Sequence, residues 1–214
     1  MEPHAPADLS RTWAIVPIRG LDTAKTRLGA ELDPAARRAV VGELLRRTLV
    51  AARDARRIEG TIVVTRDPAV AGMAREHRAI GLVEQAPGLN EAIDAARSLA
   101  AARGATAVLV LPADLPAVGP APVDELVEAA GPVDAPAGLV VLVPDRHRLG
   151  TNALLLSPPE VIATRFGEGS RGRHRGAAEV AGARFLEVDG PLSLDIDTAA
   201  DLLAAEAALG SLHG

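Results

Sequence analysis

The chain has no cysteine and no tyrosine, one tryptophan, two phenylalanines and a single lysine among its 214 residues. Without cysteine there is no disulfide, no thiolate metal site and no cysteine nucleophile. With Trp13, Phe166 and Phe185 as its only large aromatic rings, it has little on which unpaired bases can stack, and a net charge of -5 does not suit a nucleic-acid partner. No apolar run approaches membrane-spanning length, and the first twelve residues are polar and rich in Pro and Ala. These absences point to a cytoplasmic protein that needs neither nucleic acid nor membrane, with residues 1–12 as a loose tip and 13–214 as one domain.

Hydrophobic residues still make up 48% of the chain. The core must therefore be Val, Leu, Ile and Ala, as in a buried sheet covered by Ala-rich helices. Trp13 to Ile18, Thr61 to Thr65, Ile80 to Val83 and Ala107 to Leu111 read as strands. Between them, Asp33-Pro34 and Asp67-Pro68 supply an N-cap and an N1 proline for two helices, and a third helix is expected over about residues 89–103. Leu139 to Val143, Ala153 to Leu156, Arg184 to Val188 and Leu192 to Asp197 read as later strands, and Thr198 to Gly210 as a closing amphipathic helix. Strand-helix alternation with short breaks predicts an α/β three-layer sandwich with a mostly parallel sheet. The closing helix can pack on its own sheet or on a second subunit, so a homodimer stays open.

In such a sheet, ligands bind beyond the carboxyl ends of the strands. Four groups of residues fall there. Arg19, Gly20, Lys25 and Arg27 follow the first strand and can present N–H groups and positive charge to a triphosphate, although neither a Walker A ending nor a G-x-G-x-x-G pattern is present. The alternative is an ordinary turn with solvated charges. Asp114, between Pro112 and Pro116, follows the most apolar strand and is either a divalent-cation ligand or a turn residue. Asp195 and Asp197 share one face if their segment is extended; two carboxylates there suit Mg²⁺, whereas a capping box over Thr198-Ala-Ala-Asp201, with Asp197 as first-turn charge, is the local alternative. The fourth group joins Gly150-Thr151-Asn152 to Phe166-Gly-Glu-Gly-Ser170 and to the basic run Arg171, Arg173, His174 and Arg175. Small residues opening a helix at Ser170 suit a phosphate or a carboxylate, with His174 as a phosphate neighbour; a plain surface loop is the competing reading.

The lone Lys25 belongs to the first group. An ammonium is a compact point charge and a guanidinium a planar fork, so twenty-two arginines do not substitute for it at a polyphosphate. Coding bias that spared one lysine is the bland alternative.

At Val16 to Leu28, Gly88-Leu-Asn90, Asp114-Leu-Pro116, Gly150-Thr-Asn-Ala-Leu154, Phe166 to Ser170 and Leu194-Asp-Ile-Asp-Thr198, the chain resembles the 2-phospho-L-lactate/phosphoenolpyruvate guanylyltransferase family of coenzyme F420 biosynthesis. The resemblance implies a nucleotidyltransferase (nucleotide-diphospho-sugar transferase-like) fold and transfer of GMP from GTP to phosphoenolpyruvate or 2-phospho-L-lactate, with release of pyrophosphate. It implies that Thr151, Gly167 and Ser170 bind the phosphorylated acid, that Asp114, Asp195 and Asp197 hold Mg²⁺, and that Arg19, Gly20, Lys25, Arg27, Gly88 and Asn90 bind the nucleotide. Lys25 and the three aspartates would be the catalytic set. A sugar-1-phosphate or molybdenum-cofactor nucleotidyltransferase, or a non-catalytic nucleotide-binding subunit, are the alternatives.

Overall fold

The computed structural model describes residues 7–22, 33–85, 87–131, 135 and 137–194. Its strands are β1 (Thr12–Pro17), β2 (Ile58–Thr65), β3 (Ile80–Val83), β4 (Ala107–Val110), β5 (Leu139–Pro144), β6 (Thr151–Ser157) and β7 (Arg184–Glu187). In space they form one sheet in the order β3-β2-β1-β4-β6-β5-β7. Neighbours are parallel except for β6, which runs antiparallel to both β4 and β5. The helices are α1 (Pro34–Asp54), α2 (Pro68–Glu76), α3 (Leu89–Ala102), α4 (Pro120–Ala129) and α5 (Ser170–Ala181).

Side chains alternate across each strand, and here both faces are covered. Trp13, Ile15, Val108, Val110, Leu154 and Leu156 pack with Ile93, Ala96 and Ala100 of α3 and Ala178 of α5. On the opposite face, Leu109, Val141 and Leu155 meet Val123 and Leu126 of α4. Val16 and Val63 meet Leu45 and Leu49 of α1 and Val70 of α2. The result is a three-layer α/β sandwich. Each wholly buried Leu or Ile contributes roughly 1.5–3 kcal/mol by leaving water, so an aliphatic core of this extent needs few rings.

The two predicted caps form. Asp33 Oδ1 accepts from Ala36 N at 2.8 Å and Asp67 Oδ1 from Ala69 N at 2.9 Å, each before a proline at the first helical position. Helix α4 was not announced by the sequence pattern, because Pro120 and Pro122 look like loop punctuation. Both lie in its first turn, where a missing N–H breaks no intrahelical bond. Leu192 to Asp197, expected as a strand, begins instead with a 3-10 turn over Pro191–Ser193. Pro191 can donate nothing to a ladder, and Leu192 is spent on the core. The expected closing helix from Thr198 lies outside the described residues.

The antiparallel course of β6 matters for function. Val110, the last residue of β4, pairs with Leu154, so Thr151 reaches past the carboxyl end of β4. Loops following β1, β2 and β4 and the start of β6 thus share one edge.

Candidate active site

At this edge the ends of β1 and β2 and the start of α3 border a cavity of about 100 Å³ with Ile18, Arg19, Val64, Gly88, Leu89 and Ala92 on its walls. Its frame is made of hydrogen bonds to the main chain of successive loops. Thr65 Oγ1 donates to the Arg19 carbonyl at 3.2 Å and accepts from Asp67 N at 3.0 Å. Arg66 N adds a 3.3 Å bond to the same Arg19 carbonyl, and Glu84 N donates to Thr65 O at 2.8 Å. Gly20 is buried beside it and Arg19 is exposed. Asp22, two residues on, pairs with Arg38, while Arg37 donates to its carbonyl at 3.0 Å. The structure thus brings Arg19 and Gly88 to one cavity; Lys25 and Arg27 lie outside the described residues.

Across the sheet, Thr151, Ser170 and His174 meet. Ser170 Oγ donates to Thr151 Oγ1 at 3.0 Å, His174 Nδ1 lies 3.0 Å from that oxygen, and Arg165 N donates to His174 Nε2 at 2.9 Å. The helix begins after Gly169 at φ 65°, and Gly167 stands at φ 117°, left-handed values that disfavour side chains. A Cβ on Gly167 would also come within 3.3 Å of the Arg173 guanidinium. The glycines let the backbone wrap the start of α5, leaving a hydroxyl pair at its base. His174, expected beside a phosphate, is wholly buried behind that pair, with both nitrogens engaged.

What holds this loop is helix α3. Asn90 Oδ1 accepts from Phe166 N at 2.7 Å and Asn90 Nδ2 donates to Phe166 O at 3.2 Å, so the amide copies a strand's pairing. Asp94 Oδ1 accepts from Thr164 Oγ1 at 3.2 Å and from Arg97 at 2.6 Å. The buried Arg97 donates to the carbonyls of Pro159 and Ile162. Asn90, Asp94 and Arg97 stand at i, i+4 and i+7, one stripe of the helix. Sequence reasoning named Asn90 as a nucleotide contact and missed the other two. The helical spacing of three polar residues beside buried Ile93 and Ala96 was the available signal.

The electrostatics follow from these contacts. Burial, reinforced by the cations of Arg173 and Arg165, lowers the His174 pKa to about 4, so the ring is neutral. Glu187 is held below the usual carboxylate range, chiefly by the Arg171 guanidinium at 2.8 Å. Arg171 also donates to Arg148 O at 3.2 Å, tying α5 to the turn before β6.

Asp114 lies in the turn after β4. Among the described residues no three carboxylates or imidazoles converge as a metal site; Asp195 and Asp197 lie outside them. The chain leading to them is placed as far as Leu194. Asn152 Nδ2 donates to Leu192 O at 3.1 Å, and Leu192 packs in the same buried cluster as Leu111 and Leu115, which flank Asp114. The Asp114 carboxylate is a hard oxygen donor of the kind a divalent cation takes. Among the described residues, no helix is long and apolar enough to cross a membrane.

Comparison with known proteins agrees with this architecture. A family model described as "Guanylyl transferase CofC like" matches residues 12–209. The phosphoenolpyruvate guanylyltransferase of Sphaerobacter thermophilus is 43% identical over 204 residues, covering 94% of this chain and 96% of that protein. The protein of the same name from Rubrobacter xylanophilus is 44% identical, covering 92% and 95%. Among solved structures, a putative nucleotide-diphospho-sugar transferase from Desulfovibrio desulfuricans superposes with a TM-score of 0.71 at 15% identity, covering 90% of this chain and 85% of that one. A nucleotidyl transferase from Methanothermobacter gives 0.63 at 18%, covering 92% and 97%. The structural likeness establishes the fold, and the family match and the close relatives extend over nearly the whole length, so the chain is a nucleotidyltransferase belonging to the CofC-like guanylyl transferase family.

Proposed function

We propose that the enzyme transfers GMP from GTP to phosphoenolpyruvate, or to 2-phospho-L-lactate, and releases pyrophosphate. The observation that carries the reading is that one helix serves both halves of the edge. Leu89 and Ala92 of α3 wall the cavity beside Arg19, and Asn90 of the same turn clamps the loop carrying Gly167 and Ser170. A nucleoside in the cavity and an anionic acid on the loop would be held by one rigid body. The names of the close relatives supply the guanine nucleotide and the three-carbon acid.

The chemistry asks for positioning more than for proton transfer. A phosphate monoester is largely dianionic near neutrality, its second pKa being about 6, so the acceptor needs no strong base. One of its oxygens forms a bond to the α-phosphorus of GTP, and the bond from that phosphorus to the bridging oxygen breaks, its electron pair leaving on pyrophosphate. Thr151 and the backbone at Gly167 hold the acceptor, with Ser170 acting through its hydrogen bond to Thr151. Arg19 and Gly20, with Lys25 and Arg27, hold the triphosphate, and Lys25 and Arg27 neutralise the departing charge. Gly88 borders the nucleoside, while Asn90 acts through the Phe166 loop. Asp114, Asp195 and Asp197 would hold Mg²⁺, which supplies charge neutralisation between the two anionic reactants when bound.

The test is pyrophosphate release from GTP or ATP with phosphoenolpyruvate, 2-phospholactate or 3-phosphoglycerate. Release with GTP that requires one of the first two acids is expected. Silence with all three acids would overturn the reading, and turnover of a sugar 1-phosphate in their place would assign the enzyme to a different acceptor class.

A further inference from the structure

His174 is enclosed, and its hydrogen-bond partners leave one arrangement of protons. Nε2 accepts the Arg165 N–H at 2.9 Å and therefore carries no hydrogen. The neutral ring then has its hydrogen on Nδ1, which donates to Thr151 Oγ1 across 3.0 Å. Ser170 Oγ stands 3.0 Å from the same oxygen. The two hydroxyls own one hydrogen each, and the bond between them uses one. A single O–H is left over. Ser170 is 1% exposed, whereas Thr151 is only partly buried at the sheet edge. The spare hydrogen therefore belongs to Thr151, whose two lone pairs are filled by Ser170 and His174.

We propose that His174 is a positioning residue that makes Thr151 an outward hydroxyl donor to an oxyanion of the phosphorylated acceptor, while its other nitrogen fixes the start of the Gly167 loop. The inference rests on the function proposed above and specifies how its acceptor subsite is organised. The ring is held for the task. Phe166 meets it edge-on, with centroids 5.1 Å apart at 71°, and Ser170, His174 and Ala178 form the buried stripe of α5. A protonated ring, or the tautomer with its hydrogen on Nε2, would set N–H against the Arg165 N–H, releasing the loop, and burial among Arg173 and Arg165 keeps the ring neutral.

The two nitrogens can be separated chemically. The amide nitrogen of asparagine is attached at Cγ, as Nδ1 is, so His174→Asn can still donate to Thr151. The amide of glutamine lies one atom further out, near Nε2, and His174→Gln loses that donation. Steady-state pyrophosphate release by the full chain, with GTP and phosphoenolpyruvate varied separately, reads the difference. His174→Gln should raise the phosphoenolpyruvate KM at least tenfold, with the GTP KM and kcat changed less than threefold, and His174→Asn should recover most of the loss. In a Thr151→Val background, which has no hydroxyl to orient, His174→Gln should add less than a further twofold. Equal rises in both KM values, indistinguishable Asn and Gln variants, or effects that multiply with Thr151→Val would overturn the proposal; if His174→Gln is insoluble, a Thr151→Val enzyme with an unchanged phosphoenolpyruvate KM would overturn it. If the unaltered enzyme releases no pyrophosphate with any of the three acids, the functional reading falls and takes this inference with it. An active enzyme indifferent to His174 sinks this inference alone.

Discussion

On the proposed nucleotide side of the edge the walls are Ile18, Val64, Leu89 and Ala92 with Arg19, Thr65, Arg66 and Glu84 among them, and the polar bonds around them tie one loop to the next. On the acceptor side the polar groups of Thr151, Ser170, His174 and Asn90 are bonded to one another and to the main chain at Arg165 and Phe166. The first is a shape and the second is a hydrogen-bond network. A shaped, largely apolar cavity discriminates weakly, roughly 1–3 kcal/mol per methylene. A network that orients a donor rejects analogues more strongly, because each lost partner leaves a desolvated group unsatisfied. The enzyme should accordingly tolerate altered nucleosides better than acids lacking the acceptor oxyanion.

The comparison can be broken at its midpoint first. Asp114→Asn should lower turnover by roughly 10²–10³-fold, as expected when a charge-stabilising group is lost from a reaction between anions. Pyrophosphate release and a thermal melt check it: a large kinetic loss with an unchanged melting temperature is expected, and a lost fold with normal residual kinetics would make Asp114 a structural turn residue.

Next in size is the acid sensitivity of the acceptor side. His174 has a pKa of about 4 in the fold against 6.5 for the free side chain. Above pH 6.5 neither state holds the extra proton, and the buried neutral ring makes its full contribution to stability. As the pH falls from 6.5 towards 4, the unfolded chain binds a proton that the folded ring refuses, and about 3 kcal/mol is lost. Urea unfolding at pH 7 and pH 4.5 should show a steeper loss for the unaltered protein than for His174→Gln. Parallel losses would mean that other groups control the acid transition.

Asn90→Ala tests which side Asn90 serves. Removing both bonds to Phe166 costs roughly 1–3 kcal/mol, so the acceptor KM should rise about 5- to 100-fold with the GTP KM nearly constant. A rise in the GTP KM alone would return Asn90 to the nucleotide. The smallest effect is expected for Ala92→Leu, which fills part of the cavity: overpacking of roughly 1–2 kcal/mol should raise the GTP KM about tenfold and leave the acceptor KM unchanged. Equal changes in the two constants would show that the halves are not independent.

Much of this fold was legible because the apolar strands are uninterrupted and two helices announce themselves with Asp-Pro caps. Helix α4 was hidden by prolines that its first turn accepts, and the segment at Leu192 looked extended because a core residue flanked by polar ones resembles a strand in any conformation. At the site, Thr151 and Ser170 fall in one group by sequence, and the structure joins them across nineteen residues. The burial of His174 was hidden because Arg171, Arg173 and Arg175 surround it in sequence. On a helix those residues point elsewhere, and the 170, 174, 178 spacing marks the buried stripe instead. Asp94 and Arg97 escaped notice because their partners lie 62–70 residues away in a loop without regular structure. Lys25, Arg27, Asp195 and Asp197 fall outside the described residues, and their roles rest on the resemblance.

The central claim is that the nucleotide's α-phosphate is transferred to a phosphorylated acid. The most direct measurement incubates the enzyme with GTP labelled at the α-phosphate and Mg²⁺, together with phosphoenolpyruvate and 2-phospho-L-lactate, and separates the products. The label is expected in a GMP-acid anhydride, formed in step with pyrophosphate and absent without the acid; label recovered as free GMP, or left in GTP while the enzyme is folded and saturated, would contradict it.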